Sequence, residues 1–317
     1  LALYARDEIG YGNFFFTPGL RFESINTEFT QEDPISGEKT KTETTQTAFI
    51  PGVGAYYKIT DELGILGGVY RGFSPIPPGA KVTNASSDQD EDPFPEMSIN
   101  YEAGLRFQGS DTQIEAIGFF NDYENITASC RLSASGQCGV QYGQQFNGGR
   151  AWVYGAELAI GHTQPLVAGL TTTLEAAYTL SLTEFRDSFK SNFDQYGEVA
   201  VGDRLPYVPR HQGHLSAGLQ GKGFAKHRWV LQGSLAYVGQ MRDVAGQGTI
   251  EITEKIPSHT VLDLVGTYTF APGNALYLKV DNLLNEAYMV SRRPYGPRPG
   301  KPRLVMLGYK HQFTDFL

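Results

Sequence analysis

The chain of 317 residues lacks any uninterrupted apolar run of about 18 residues, which excludes a transmembrane helix. That does not exclude a membrane, because a barrel strand hides its apolar face in every second residue and averages out as polar. Basic excess is also missing: Lys+Arg 26 stand against Asp+Glu 34, for a net charge of -8. A nucleic-acid partner would want a basic face, so none is expected. Cysteine is scarce, with only Cys130 and Cys138, close together in one polar segment. Such spacing suggests a loop disulfide made in an oxidising compartment, against the alternative of two unrelated thiols. Nucleophile elbow, P-loop and dinucleotide fingerprint are all absent, so no enzyme is read here. The histidines are scattered, and His211 and His214 sit three apart, on opposite faces of a strand. No resident metal or cofactor is expected. The acidic run Asp88–Asp92 lacks the spaced glycine and distal Glu of an EF-hand and reads as a solvated loop. Neither an initiator Met nor a signal peptide stands at Leu1, which reads as a mature or partial chain.

What the chain has in quantity is Gly 37, Tyr 18 and Phe 19, and a two-residue rhythm. In Ser98–Gln108 the odd positions are Ile99, Tyr101, Ala103, Leu105 and Phe107, and the even ones include Glu102, Arg106 and Gln108. One face is apolar and the other charged. The pattern recurs, less strictly, in Gln113–Tyr123, then in Trp152–Ile160 and most plainly from Leu166 to Leu182. Further strands are read at Tyr11–Phe29 (with a slip in phase at Ile25), Gln46–Ile59, Leu63–Phe73, Tyr207–Gln220, His227–Gly239, Ser258–Phe270, Asn274–Asp281 and Leu304–Phe313. That makes about twelve strands, with Leu1–Ala5 as a possible tail of another.

The connections alternate in length. Short turns are read at Arg6-Asp7-Glu8, Thr60-Asp61-Glu62, Gly109-Ser110-Asp111, His162–Pro165, Gly221-Lys222-Gly223 and Ala271-Pro272-Gly273. Long polar loops lie near 30–44, 74–96, 125–147, 183–206, 240–257 and 283–301. Short on one rim and long on the other is the anatomy of an all-β, antiparallel transmembrane barrel, with short turns in the periplasm and long loops outside the cell. A soluble sandwich has no reason to sort its loops so. Aromatics near strand ends (Tyr101, Phe107, Trp152, Tyr178, Trp229, Tyr237, Tyr268, Tyr309 and Phe313) fit interfacial girdles. The opposite phase carries Glu102, Arg106, Glu115, Glu157, Glu175, Arg210, Arg228, Asp263, Lys279 and Asp281, which a watery or plugged lumen accepts and a soluble core does not.

Three stretches carry a family resemblance. They are Pro95–Arg106, Asn147–Glu157, and Val280–Tyr288 followed by Pro299-Gly300-Lys301-Pro302-Arg303 and a strand ending at Phe313. Together they resemble TonB-dependent outer-membrane receptors, and Thr17–Glu23 with Tyr70–Pro75 lean toward the ferric dicitrate receptor branch. The resemblance implies a barrel of about 22 strands around an N-terminal plug. It also implies gated uptake driven by a plug-side TonB box touching the energy-transducing complex of the inner membrane. Residues 1–317 would then be the C-terminal part of that barrel, with the plug and first strands upstream of Leu1. A self-contained twelve-strand barrel is the competing geometry. The wall would face outer-membrane lipid and lipopolysaccharide. The expected ligand is a ferric chelate, ferric citrate first, with iron present only as cargo. Receptors for haem, cobalamin or a glycan, and a passive pore or adhesin barrel, are the alternatives.

Rim position and charge, rather than matched family sites, select the candidate ligand contacts. These are Arg71, Arg204, Arg210, Arg242, Arg292 and Arg293, joined by Gln144 and Gln145 beside the cysteine-bracketed loop. Paired guanidinium groups suit an anionic chelate. Ser74–Glu96 or Thr183–Pro206 is the expected closing loop.

Overall fold

Alternation fixes which residues each strand shows to either side, and backbone pairing carries that choice from strand to strand. The computed structural model describes residues 1–32, 36–76, 82–83, 90–91, 95–129, 145–147, 149–190, 194–223, 227–293 and 296–313. Its body is one 14-stranded sheet. The strands are β1 (Ala2–Arg6), β2 (Ile9–Tyr11), β3 (Phe14–Glu32), β4 (Lys39–Lys58), β5 (Leu63–Ser74), β6 (Glu96–Gln108) and β7 (Thr112–Glu124). The remainder are β8 (Ala151–Pro165), β9 (Thr171–Phe185), β10 (His211–Lys222), β11 (Arg228–Val238), β12 (His259–Ala271), β13 (Asn274–Asp281) and β14 (Leu304–His311). Each pairs antiparallel with its sequence neighbour, except that β1 and β2 both pair with β3, and the order is an open path from β1 to β14. No helix among the described residues is long and apolar enough to cross a membrane; the crossing elements are strands.

The register sorts the side chains into two faces. Ile65, Leu105, Ala116, Leu158, Tyr178, Gly213 and Tyr237 stand opposite one another from β5 to β11. The large residues of that rung are exposed although apolar, which only hydrocarbon makes favourable. The next rung holds Arg106, Glu115, Ala159, Ala177, His214 and Ala236, on the other face. Glu102, Glu157, Glu175, Arg228, Asp263, Lys279 and Asp281 share that inner phase, as the alternation predicts. Tyr101, Trp152, Trp229, Tyr268 and Tyr309 share the outer one.

Several boundaries differ from the sequence reading. Arg6-Asp7-Glu8 is no turn, because β1 and β2 keep one register against β3 and Asp7 N donates to Pro18 O at 3.1 Å. The reversal comes at Gly12-Asn13, where Gly12 adopts φ 58. The sheet therefore has thirteen staves, the twelve expected (β3 through β14) and, as β1 with β2, the further strand read as a possible one at Leu1–Ala5. The phase slip at Ile25 is not a bulge either. β3 and β4 pair without a shift from Phe14↔Tyr57 to Glu32↔Lys39, and Ile25 faces inward opposite Gln46. Much of the expected 30–44 loop is the far end of this ribbon, laced by Lys39–Glu32 (3.4 Å) and Lys41–Glu28 (3.1 Å). Clear of the membrane it needs no apolar face, so its sequence reads as loop. The turn expected at His162–Pro165 falls at residues 166–170 instead. There Val167–Gly169 form a 3-10 turn, Leu166 N donates to Leu170 O at 2.7 Å, and Gly169 takes φ 73. The strand expected from Tyr207 begins only at His211, because Pro206 and Pro209 offer no N–H to a ladder.

The face assignment predicts an asymmetry between neighbours in β8. Leu158→Arg should cost about 2–4 kcal/mol near the bilayer midplane, whereas Glu157→Gln should be nearly neutral. Urea titration in phospholipid vesicles, read by the mobility of the folded barrel in gels, checks it; equal costs would overturn the assignment.

Candidate functional site

The loop between β13 and β14 shows why the Asp281–Asn285 text is there. Asn282 is buried and sits in the left-handed region at φ 49, where a short polar side chain can stabilise the turn. Its Nδ2 donates to Glu286 O and Lys301 O, both at 2.9 Å, while its Oδ1 accepts from Glu286 N at 2.9 Å. Its own N donates to Asp263 Oδ1 at 2.7 Å. Asp281 takes Lys279 at 2.9 Å and also Lys301. Gly300 N donates to Tyr288 O at 2.7 Å, and a Cβ at Gly300 would run into the Tyr288 ring. The motif therefore fastens the last loop to the wall. It is architecture rather than a ligand contact.

Three long loops are clasped to one another at this rim. Tyr207, itself in the left-handed region at φ 59, presents its hydroxyl oxygen to Arg293 N at 3.2 Å, Ser291 Oγ at 3.3 Å and Arg292 N at 3.4 Å. Arg292 donates from Nε to Lys255 O at 2.8 Å and from Nη2 to Ile252 O at 2.9 Å. Arg293 Nε lies 3.3 Å from Asp243 Oδ2. Arg242, only 6% exposed, donates from Nη2 to the carbonyls of Gln247 and Gly248, and its backbone carbonyl accepts from Tyr207 N at 2.8 Å. Beneath lies an apolar cluster of Ala151, Phe185 and Val199, packed by Ile126, Phe189, Tyr196, Leu205 and Ala245. Burial there pushes the Tyr196 phenol up to about 12, with Glu96 and Tyr207 adding to it. Burial likewise raises the Asp243 carboxyl, against the opposing pull of Arg293 and Arg292.

The expected arginines thus separate by what they touch. Arg292 and Arg293 are engaged in joining loops and the Arg242 guanidinium in holding its own loop, so none of the three stands as a free ligand donor. Arg71 pairs with Ile99 on the outer phase, away from the mouth. Arg204 and Arg210 remain, both exposed. They line a cavity of about 210 Å³ together with Ser181 and Thr183 of the inner phase, Tyr154, Leu182 and Glu184 of the outer phase, Gln240 and Arg242; the Glu184 carboxylate there is paired with Arg186 at 2.9 Å. Ser181 N donates to Arg210 O at 3.0 Å, so Arg210 continues the inner phase of the wall. Gln144, Cys130 and Cys138 lie outside the described residues, and Gln145 appears only as backbone, in the short strand Gln145–Asn147. Of the expected closing loops, Thr183–Pro206 is strapped down through the apolar cluster. The base of Ser74–Glu96 is pinned where Ile76 N donates to Gln46 Oε1 at 2.8 Å and Gln46 Nε2 donates to Ile76 O at 3.0 Å. Tyr207 and Asp243 were not anticipated as clasp residues. The flanking Pro206 and Pro209 are the one sequence signal that Tyr207 lies off the ladder.

Two outcomes follow from the clasp. Tyr207→Phe removes the acceptor of three donors and should cost the loop about 1–2 kcal/mol, speeding hydrogen exchange at Arg292 and Arg293 by about tenfold; unchanged protection would contradict it. Because the fold raises Asp243, it holds that proton more tightly than the unfolded chain does. The stability from this group is therefore fully present below its ordinary value and lost as pH rises through the raised one. Asp243→Asn should flatten that slope in unfolding midpoints measured against pH; an unaltered slope would place its origin elsewhere.

Comparison with known proteins agrees with this architecture. The family model "TonB dependent receptor-like, beta-barrel" matches residues 1–283. The metal-pseudopaline receptor CntO of Pseudomonas aeruginosa is 24% identical over 293 residues, covering 90% of this chain and 37% of the relative. The chain thus spans little more than a third of that relative's length. Among solved structures, the ferric yersiniabactin uptake receptor FyuA from Yersinia pestis superposes with a TM-score of 0.70 at 18% identity, covering 99% of this chain and 45% of that one. The ferric-catecholate import receptor Fiu from E. coli K12 gives 0.69 at 18% identity, covering 98% and 44%. The ferric citrate transporter FecA gives 0.65 at 22% identity, also covering 98% and 44%. The solved structures share the fold of this chain, and the chain belongs to the TonB-dependent receptor β-barrel family, whose members reside in the outer membrane of Gram-negative bacteria.

Proposed function

We propose that this chain forms barrel wall and extracellular loops of a receptor that captures an anionic metal chelate and admits it by TonB-dependent gating. The observation that carries the reading is the pair of exposed guanidinium groups, Arg204 and Arg210, at one cavity on the long-loop rim. Ser181 and Thr183 lie on the inner phase of the wall there, and a chelate rich in carboxylates would find charge and hydrogen-bond donors together. Ferric citrate is the ligand we favour, bound without covalent chemistry and released inward with its iron. The energy-transducing complex is the partner this uptake requires. A second reading, a metal chelate of the pseudopaline kind, is favoured by the resemblance to CntO. The two readings differ in the chelator.

Binding to outer-membrane vesicles carrying the receptor tests it. Arg204→Ala and Arg210→Ala should each weaken ferric citrate by about tenfold or more, as loss of a charge-assisted hydrogen bond does. Arg71→Ala, on the outer phase, should leave affinity unchanged. Full affinity in the double variant would overturn the site, and selective binding of a metal–pseudopaline chelate over ferric citrate would decide for the second reading.

A further inference from the structure

A third arginine, Arg242, lines the same cavity with its guanidinium bonded to backbone carbonyls, and its surroundings hold the segment that carries Arg204. Arg242 is buried at the start of the loop after β11, and Nη2 collects the carbonyls of Gln247, Gly248 (2.8 Å) and Thr249 (3.5 Å). Nη1 lies 4.0 Å from Glu254 Oε2. Residues 247–249 therefore wrap a single guanidinium, and Gly246 makes the wrapping possible, since a Cβ there would lie 3.0 Å from Nη1. The wrapped loop then grips the segment that carries Arg204. Arg204 N donates to Gly246 O at 3.0 Å, and Gly246 N donates back to Arg204 O at 3.4 Å. Gln247 Nε2 donates to Val201 O at 3.2 Å, and Ala245 N to Gln195 O at 2.9 Å. Every one of these contacts joins the loop around Arg242 to residues 195–204.

We infer that Arg242 is a positioning residue for the chelate site, shaping the 243–250 loop so that its edge holds Arg204 at the cavity. The inference rests on the proposed reading of Arg204 as a ligand contact. Arg242 acts through its fork. A planar guanidinium can present several N–H groups to carbonyls of successive residues, whereas a lysine ammonium is a compact point charge on a flexible stem and cannot hold the same geometry. The charge at the rim would be retained in Arg242→Lys, so a long-range electrostatic role and a positioning role separate.

The experiment is a double-mutant cycle in outer-membrane vesicles carrying the receptor, with ferric citrate as the probe and a neutral ferric tris-hydroxamate as its uncharged counterpart. Arg242→Lys should weaken ferric citrate by about tenfold and the neutral chelate much less. In an Arg204→Ala background the same substitution should have almost no further effect, because it acts only through Arg204. Gly246→Ala, which crowds Nη1 and leaves Arg242 in place, gives a second route to the same displacement should Arg242→Lys assemble poorly. Its loss should likewise vanish when Arg204 is absent. Additive losses, equal losses for both chelates, or unchanged ferric citrate affinity in both variants would overturn the positioning role while leaving Arg204 as a contact. An Arg204→Ala receptor with full affinity would overturn the underlying reading, and the inference with it.

Discussion

Backbone pairing is the constraint on which everything else here depends. At membrane depth no water is available to a peptide N–H or C=O, so every crossing segment must satisfy these groups inside the sheet. The ladders from β3 onward meet this with almost no interruption; the shift between Thr269 and Ala271 beside the short Pro272-Gly273 turn is the exception in the main sheet among the described residues. Once the register is continuous, the two-residue period forces an apolar outer face and frees the inner one for charge. Irregular backbone is displaced to the rims. Among the described residues, the non-glycine residues with positive φ, Asn125, Tyr207, Asn282 and Asn285, all lie on the long-loop side.

The long-loop side is consequently where the chain can be specific, and it is organised by long-range polar contacts rather than by a large core. Arg292, the Arg293–Asp243 pair and Tyr207 connect segments that are distant in sequence, and the Phe185 cluster adds apolar packing between residues 126, 151, 185–205 and 245. These contacts hold the long loops to one another and to the wall.

The faces of the wall were legible in the sequence because period two is a local signal. Leu105 against Arg106 and Leu158 against Glu157 can be assigned within a few residues. Turn positions were less so. Leu166, Ala168 and Leu170 continue the apolar rhythm through what is a 3-10 turn, and only the left-handed Gly169 marks the reversal. At the site, charge and rim position singled out the arginines but could not say which were already engaged. Arg242 meets carbonyls five to seven residues on, and Arg292 reaches back to Ile252 and Lys255, contacts that no periodicity encodes. The Asp281–Asn285 text was recognisable as a signature, while its reason, a buried amide tying Glu286 to Lys301, appears only in three dimensions.

In the proposed function, exposed guanidinium groups at the rim select the chelate by its negative charge. The most direct measurement is the affinity of receptor-bearing outer-membrane vesicles for ferric citrate as ionic strength is raised, beside a neutral ferric chelate under the same conditions. An exposed, charge-based site predicts that ferric citrate affinity falls progressively with salt while the neutral chelate binds weakly and with little salt dependence. Affinity for ferric citrate that stays level with salt, or tighter binding of the neutral chelate, would contradict it.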